Sequence, residues 1–430
     1  MPSRLVLAVL SLLIFTISVA AQSPDNRYFE LQQESIAAYQ AGDFEAFRDK
    51  TLAALKIKPR SVFMQYNAAC GLALTGKPER ALRYLRQLAE RGIGFDLAGD
   101  GDFDSLRDLP EYRAIASLMA DNIEPVINSD DAHRIEQADL VPEGITWDPD
   151  SDRLFVGSMR FGRIYAIDPD GQVYQFAHFA TDQPLACLGV TVDTVRNLLW
   201  AVATAAPLHI NWDTTFEGLT GVYAFDLATG ETRHRWMAPD RIHPFGFNDL
   251  AVAATGDIYL TGSKIFHIPA GDSIPIVADF SRQFAASNGA ALSPDQRFLF
   301  VGDNIDGIAR VELSTGTVTQ LEQADSMLTV GIDGMYYVNR SLVAVQNGAP
   351  PWRVSRFFLN TSETGIDSVH ILERANPDLA GATTGVIVRD SIYYVGRYQR
   401  TGEIPQHLPV PVHRWFGPTA VMKTALDLQR

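Results

Sequence analysis

From Ile135 onward the chain repeats one pattern almost to its end: short apolar runs, each the length of a strand, separated by turn-forming residues. Leu154-Phe155-Val156-Gly157, Arg163-Ile164-Tyr165-Ala166-Ile167-Asp168 and Gln172-Val173-Tyr174-Gln175-Phe176 read as three strands, the last two joined by Pro169-Asp170-Gly171. Comparable units recur at Asn197–Val202 with Gly221–Asp226, at Asp257–Thr261, at Arg297–Val301 with Gly307–Val311, at Ser341–Gln346 and at Ser391–Gly396. Repeats of this size with internal hairpins predict a β-propeller, and a sandwich is disfavoured because the repeat persists from 136 to 430. The count of units points to six blades, with five or seven left open. The tail beyond Val410, with Ala420-Val421-Met422, is expected to return and close the ring.

The preceding segment has a different texture. Between about 25 and 122 the apolar residues fall at helical spacing, as in Tyr28, Leu31, Ile36 and Tyr39, then Phe44, Phe47, Leu52 and Leu55. Ala41-Gly42-Asp43-Phe44 recurs as Thr75-Gly76-Lys77-Pro78, 34 residues later, so two glycine-bounded helical hairpins are expected. This spacing resembles tetratricopeptide (TPR) repeats. Two repeats cannot bury a continuous core by themselves, so the helices should pack on the following domain or on one another, closed by Phe103, Leu106 and Tyr112. A structural cap and a partner-binding groove both fit this region.

Arg4, the apolar run Leu5 to Val19 and the small residues around Ala20-Ala21 read as an export signal, the alternative being an uncleaved anchor. The expected division is therefore 1–21 signal peptide, 22–125 TPR-like helical domain and 136–430 propeller, with the mature chain secreted or periplasmic and without a membrane span. A net charge of -15 disfavours nucleic acid, leaving a small molecule or a protein as partner. The two cysteines, Cys70 and Cys187, lie in different expected domains; they exclude a cysteine zinc site by count and read as buried thiols rather than a disulfide.

Four stretches place an oxygen ligand at the start of an inner strand: Pro142-Glu143-Gly144, Phe247-Asn248-Asp249, Ser287-Asn288-Gly289 and Ile332-Asp333-Gly334. Successive ligand positions are 105, 40 and 45 residues apart, about two blades and an insertion, then one blade each. Singly, Asn-Gly and Asp-Gly pairs are ordinary turn formers and Glu143 an ordinary loop residue. Together they occupy one phase of the repeat, which in a propeller brings them to the axis. Glu143, Asn248, Asn288 and Asp333 would make a hard oxygen site suited to calcium (Ca2+) more than to magnesium. Such an ion polarises a carbonyl and lowers the pKa of water, as hydrolysis of a lactone or other ester requires, with Asp333 or Asp249 as general base.

Glu143-Gly144 with Trp147, Asn248-Asp249, Ser287-Asn288-Gly289 with Ser293-Pro294-Asp295, and Asp333-Gly334-Met335 resemble the SMP-30/gluconolactonase/luciferin-regenerating-enzyme family over roughly 136 to 400. The resemblance implies a six-bladed calcium-binding propeller, Glu143, Asn248, Asn288 and Asp333 as ligands to the divalent ion, and Asp333 as acid/base residue. Two departures stand out. The arginine that grips sugar lactones two residues before the Asn248 position is Gly246, and the proline usual after Glu-Gly is Ile145. Arg241 and His243 lie nearby and, with Asp249, are the candidates for contacting substrate.

The expected activity is an exported, metal-dependent lactone or ester hydrolase. The alternative is a non-catalytic propeller that docks proteins through its helical region. A plain scaffold propeller, the third option, predicts no axial cluster of acids and amides.

Overall fold

The computed structural model describes residues 24–243, 246–271, 276–277, 284, 286–379, 381–400 and 416–426. The export-signal segment lies outside the described residues.

The chain opens with two helical hairpins, α1 (Pro24–Gln40) with α2 (Phe44–Ile57) and α3 (Val62–Leu74) with α4 (Pro78–Glu90), followed by α5 (Pro110–Asn122). Local chemistry sets these ends. Asp43 and Ser61 cap α2 and α3 by accepting the backbone N–H groups of Ala46 and Met64, and Pro78 and Pro110 occupy first-turn positions where no N–H is needed. On α4 the buried residues Ala81, Leu82, Leu85, Leu88 and Ala89 form one stripe, whereas α3 is buried on almost every side. Phe103, Leu106 and Tyr112 close this core as expected, and three propeller residues, Leu328, Val330 and Ala349, belong to the same cluster.

Beginning at Asp130, the chain builds six four-stranded antiparallel sheets. Each is a blade. Their inner strands are Pro142–Asp148, Leu185–Asp193, Phe247–Val252, Ser287–Leu292, Ile332–Val338 and Gly385–Val388, taken as blades one to six. The sixth blade joins the two parts of the propeller that are farthest apart in sequence. Strand Phe416–Ala425 lies between Ser391–Arg400 and the strand Asp130–Ile135, with Ile135 opposite Thr419 and His133 opposite Val421. The predicted return of Ala420-Val421-Met422 is thus the ring closure.

The blades are held by six apolar clusters, one per blade interface. Successive side chains of a strand point to opposite faces, so Leu199, Ala201 and Ala203 pack towards blade one while Trp200 and Val202 pack towards blade three. Likewise Leu299 and Val301 face blade three and Phe300 faces blade five. A sheet covered on both faces needs apolar residues at consecutive positions, which is why the central strands read as continuous runs such as Phe298-Leu299-Phe300-Val301.

The helical region sits on one end of the ring. Lys58 Nζ pairs with Asp306 Oδ2 at 2.7 Å with side chains only 8% and 14% exposed, Arg91 Nε donates to Asp325 O, and Arg353 Nη2 donates to Gly92 O. These propeller residues lie in loops that follow second strands or precede inner strands, so the helices cover the end at which the inner strands start.

Candidate functional site: the axial carboxylates

In five of the six blades the inner strand carries a β-bulge at the same level. In blade one Pro142 pairs with Ser158 and Ile145 with Val156, so Glu143 and Gly144 together face the single residue between. The same shift places Leu188-Gly189, Asn248-Asp249, Asn288-Gly289 and Asp333-Gly334 in blades two to five. Bulges break the strict alternation of side chains and re-aim those they carry. Every ligand predicted from sequence is the first residue of a bulge.

Glycine usually follows because the neighbouring blade leaves no room for a side chain. A Cβ on Gly144 would stand 2.3 Å from Leu188 O, and one on Gly289 would stand 2.5 Å from Met335 N. Blade three is the exception. Asp249 fits there because Gly189 leaves space beside it, its Oδ1 lying 2.4 Å from where a Cβ on Gly189 would be. The Asp249 carboxylate is fixed by the N–H of Leu250 at 2.8 Å and that of Ala290 at 3.4 Å.

Three acids therefore meet on the axis. The Asp333 carboxylate accepts Nδ2 of Asn288 on one oxygen and Nδ2 of Asn347 on the other. The backbone oxygen of Glu143 accepts the hydroxyls of Thr383 and Thr384, which bring blade six into the cluster. Burial pushes the Glu143 carboxyl well above its usual range, reinforced by the charges of Asp333 and Asp249. Burial likewise raises Asp249 to about 7. Burial and the Asp249 charge raise Asp333, against the lowering effect of its two amide donors.

Among the described residues, no lysine, arginine or histidine acts on any of the three. Uncompensated charge in a buried site is costly, and a divalent cation is the natural counter-charge. The donor set fits a hard cation: carboxylates from Glu143, Asp333 and Asp249, with amides from Asn248 and Asn288 at the same bulge level. A half-turn of the Asn288 amide plane presents its Oδ1 instead of its Nδ2.

On the other side of this layer lies a cavity of roughly 310 Å³, running along the inner strands away from the helical region. Asp249 lines it, and its walls mix apolar side chains, including Ile145, Leu250 and Met335, with polar groups such as Thr191, Tyr336 and Thr384. Tyr336 accepts the N–H of Gly385 at 2.7 Å. Tyr337 also lines the cavity, whereas Phe247 is a core residue between blades two and three.

Two predicted contact residues are held elsewhere by their observed bonds. Arg241 donates to Phe216 O and Thr215 O, and His243 Nδ1 lies 3.8 Å from Glu217 Oε1; both side chains are exposed. Gly246 has φ +67°, and a Cβ there would stand 2.8 Å from Thr204 Cγ2, so this backbone has no place for the arginine of the sugar lactonases. Both cysteines are buried free thiols, as expected. Asn347, Thr383 and Thr384 escaped the sequence reading as site residues. Asn347 stands one residue past the strand that pairs with the Asp333 strand.

Residues 141–336 match the SMP-30/Gluconolactonase/LRE-like region. The chain carries an SMP-30/gluconolactonase-like six-bladed propeller, and the matched segment contains all four predicted ligands. Among solved structures, a gluconolactonase from Xanthomonas campestris is 15% identical, with 70% of this chain and 95% of that chain covered and a TM-score of 0.45. Regucalcin from Agrobacterium tumefaciens, a calcium-binding protein, is 17% identical over 69% of this chain and 95% of its own, with a TM-score of 0.42. No curated protein matches the chain. Among the described residues no helix is long and apolar enough to cross a membrane.

Proposed function

We propose that this protein is an exported, divalent-metal-dependent hydrolase of a lactone or related ester, calcium being the cation that its donor set suits best. The observation that carries this reading is the trio Glu143, Asp249 and Asp333, brought together at one bulge level with no basic residue among the described ones acting on them. Export rests on Arg4 and the apolar run Leu5 to Val19.

Glu143, Asn248, Asn288 and Asp333 would hold the cation. When bound, it supplies Lewis-acid polarisation of a carbonyl oxygen and acidifies water. The chain contributes placement and proton handling. Asp249 faces the cavity, so it is suited to take a proton from water. The N–H groups of Leu250 and Ala290 hold that carboxylate at a fixed angle. Asp333, held by two amides, is the second candidate for acid/base work.

A second reading, a non-catalytic binding propeller, draws support from Gly246, which removes the sugar-gripping arginine. Calorimetric titration of the full chain with calcium, beside Glu143→Ala and Asp333→Ala, tests the site. Stoichiometric binding lost in both variants is expected, and absence of binding to the wild type would sink the metal-hydrolase reading. A lactone and ester screen separates the two readings, with Asp333→Asn expected to abolish turnover while the fold is kept.

A further inference from the structure

Asp333 is gripped from two sides, and only one grip comes from a predicted ligand. Asn347 Nδ2 donates both to Asp333 Oδ2 and, at 2.9 Å, to Ala382 O, so its amide is clamped between blades five and six. The residues after it run straight into the helical region. Ala349 is buried in the helical core cluster, Pro350 O accepts the N–H of Gly94 at 3.2 Å, and Arg353 Nη2 donates to Gly92 O at 2.7 Å. Arg353 Nε also holds Pro351 O at 3.1 Å, inside the same loop. At the base of the loop, Gly348 N–H bonds Gly331 O at 3.1 Å, one residue before the Asp333 strand begins. The loop from Asn347 to Arg353 is therefore fixed at one end to an axial carboxylate and at the other to the turn after α4.

We propose that Asn347 is a positioning residue for Asp333 and that docking of the helical region on the 347–353 loop holds it in place. The proposal rests on the axial site of the preceding section but assigns the helices a different part from protein docking: they buttress one wall of that site. Groups that orient metal ligands typically account for 10- to 100-fold in metal affinity. Loss of the Asn347 amide leaves Asp333 with one donor and frees its rotamer, which must then be fixed when the cation binds.

The test uses the full chain and calcium alone as probe. Asn347→Ala should weaken calcium binding by about 10- to 100-fold, and Arg353→Met, which removes only the donors to Gly92 and Pro351, should weaken it in the same direction. In chelator, without any cation, Asn347→Ala should lower the denaturation midpoint of the wild type by more than that of an Asp333→Ala background, where only the bond to Ala382 O is lost. Unchanged affinity in Asn347→Ala, with a wild type that binds, overturns the positioning role while the metal reading stands. Unchanged affinity in Arg353→Met, with a weakened Asn347→Ala, removes the helical region from it. A wild type that binds no calcium ends the metal reading, and the cation-free comparison then decides alone: a midpoint loss just as large without Asp333 overturns the contact, and a smaller one upholds it.

Discussion

Neutralising Asp249 should change how the stability of the metal-free protein depends on pH. Burial raises this carboxyl from 3.8 to about 7. A group that holds its proton more tightly when folded than when unfolded withdraws stability as pH rises between those two values, at about 1.4 kcal/mol per pH unit. From 3.8 to about 7 the loss comes to ~4 kcal/mol, of which roughly a third has occurred by pH 5, leaving about 3 kcal/mol between pH 5 and pH 8. Asp249→Asn removes the charge and keeps an oxygen for the N–H of Leu250. Denaturant unfolding of both proteins in chelator, at pH 5 and pH 8, measures the difference. The variant should gain about 3 kcal/mol on the wild type between the two pH values, and saturating calcium should flatten the wild-type dependence by supplying the missing counter-charge. The same pH dependence in wild type and variant would refute the claim that this acid is buried without compensation.

Two further outcomes follow from contacts away from the acids. Gly246→Arg should cost about 2–4 kcal/mol, because φ at 246 is left-handed and the new Cβ meets Thr204 and Thr220, whose hydroxyls bond each other at 2.7 Å. It should bring no activity on gluconolactone, and a variant as heat-stable as the wild type would show that the backbone relaxes freely there. Lys58→Met should lower the calorimetric melting temperature through a loss of about 1–3 kcal/mol, since it removes the charged donor to Asp306 Oδ2 at the junction between helices and propeller. An unchanged melt would mean that the ion pair contributes nothing to docking.

The fold was legible because its repeat is a local signal. Runs such as Leu198-Leu199-Trp200-Ala201-Val202 announce strands, and the turn signals between them set the blade length. The sequence reading said nothing of which faces these strands bury. They are buried on both faces, because each blade lies between two others, and that packing is a property of the ring rather than of any one segment. The helical core was legible from its periodicity, and Leu328, Val330 and Ala349 joined it only through tertiary docking.

The axial residues were legible for a different reason, which the bulge supplies. A bulge brings two inner-strand residues to one level, and in a closed ring the second of them abuts the backbone or a neighbouring side chain of the next blade, so the pair becomes a polar residue followed by glycine. Asn347, Thr383 and Thr384 belong to no such pair and left no comparable mark. Arg241 and His243 were close to Asn248 in sequence, yet their bonds tie them to the segment 215–217. The two bulges that break the pattern, in blades two and three, explain each other in the same terms. Blade two offers Leu188-Gly189, with no ligand at its first position and no side chain at its second, and the room that it leaves is where Asp249 of blade three places its carboxylate. The third axial acid therefore depends on a glycine in the neighbouring blade, a dependence between positions 60 residues apart in sequence that neither position reveals alone.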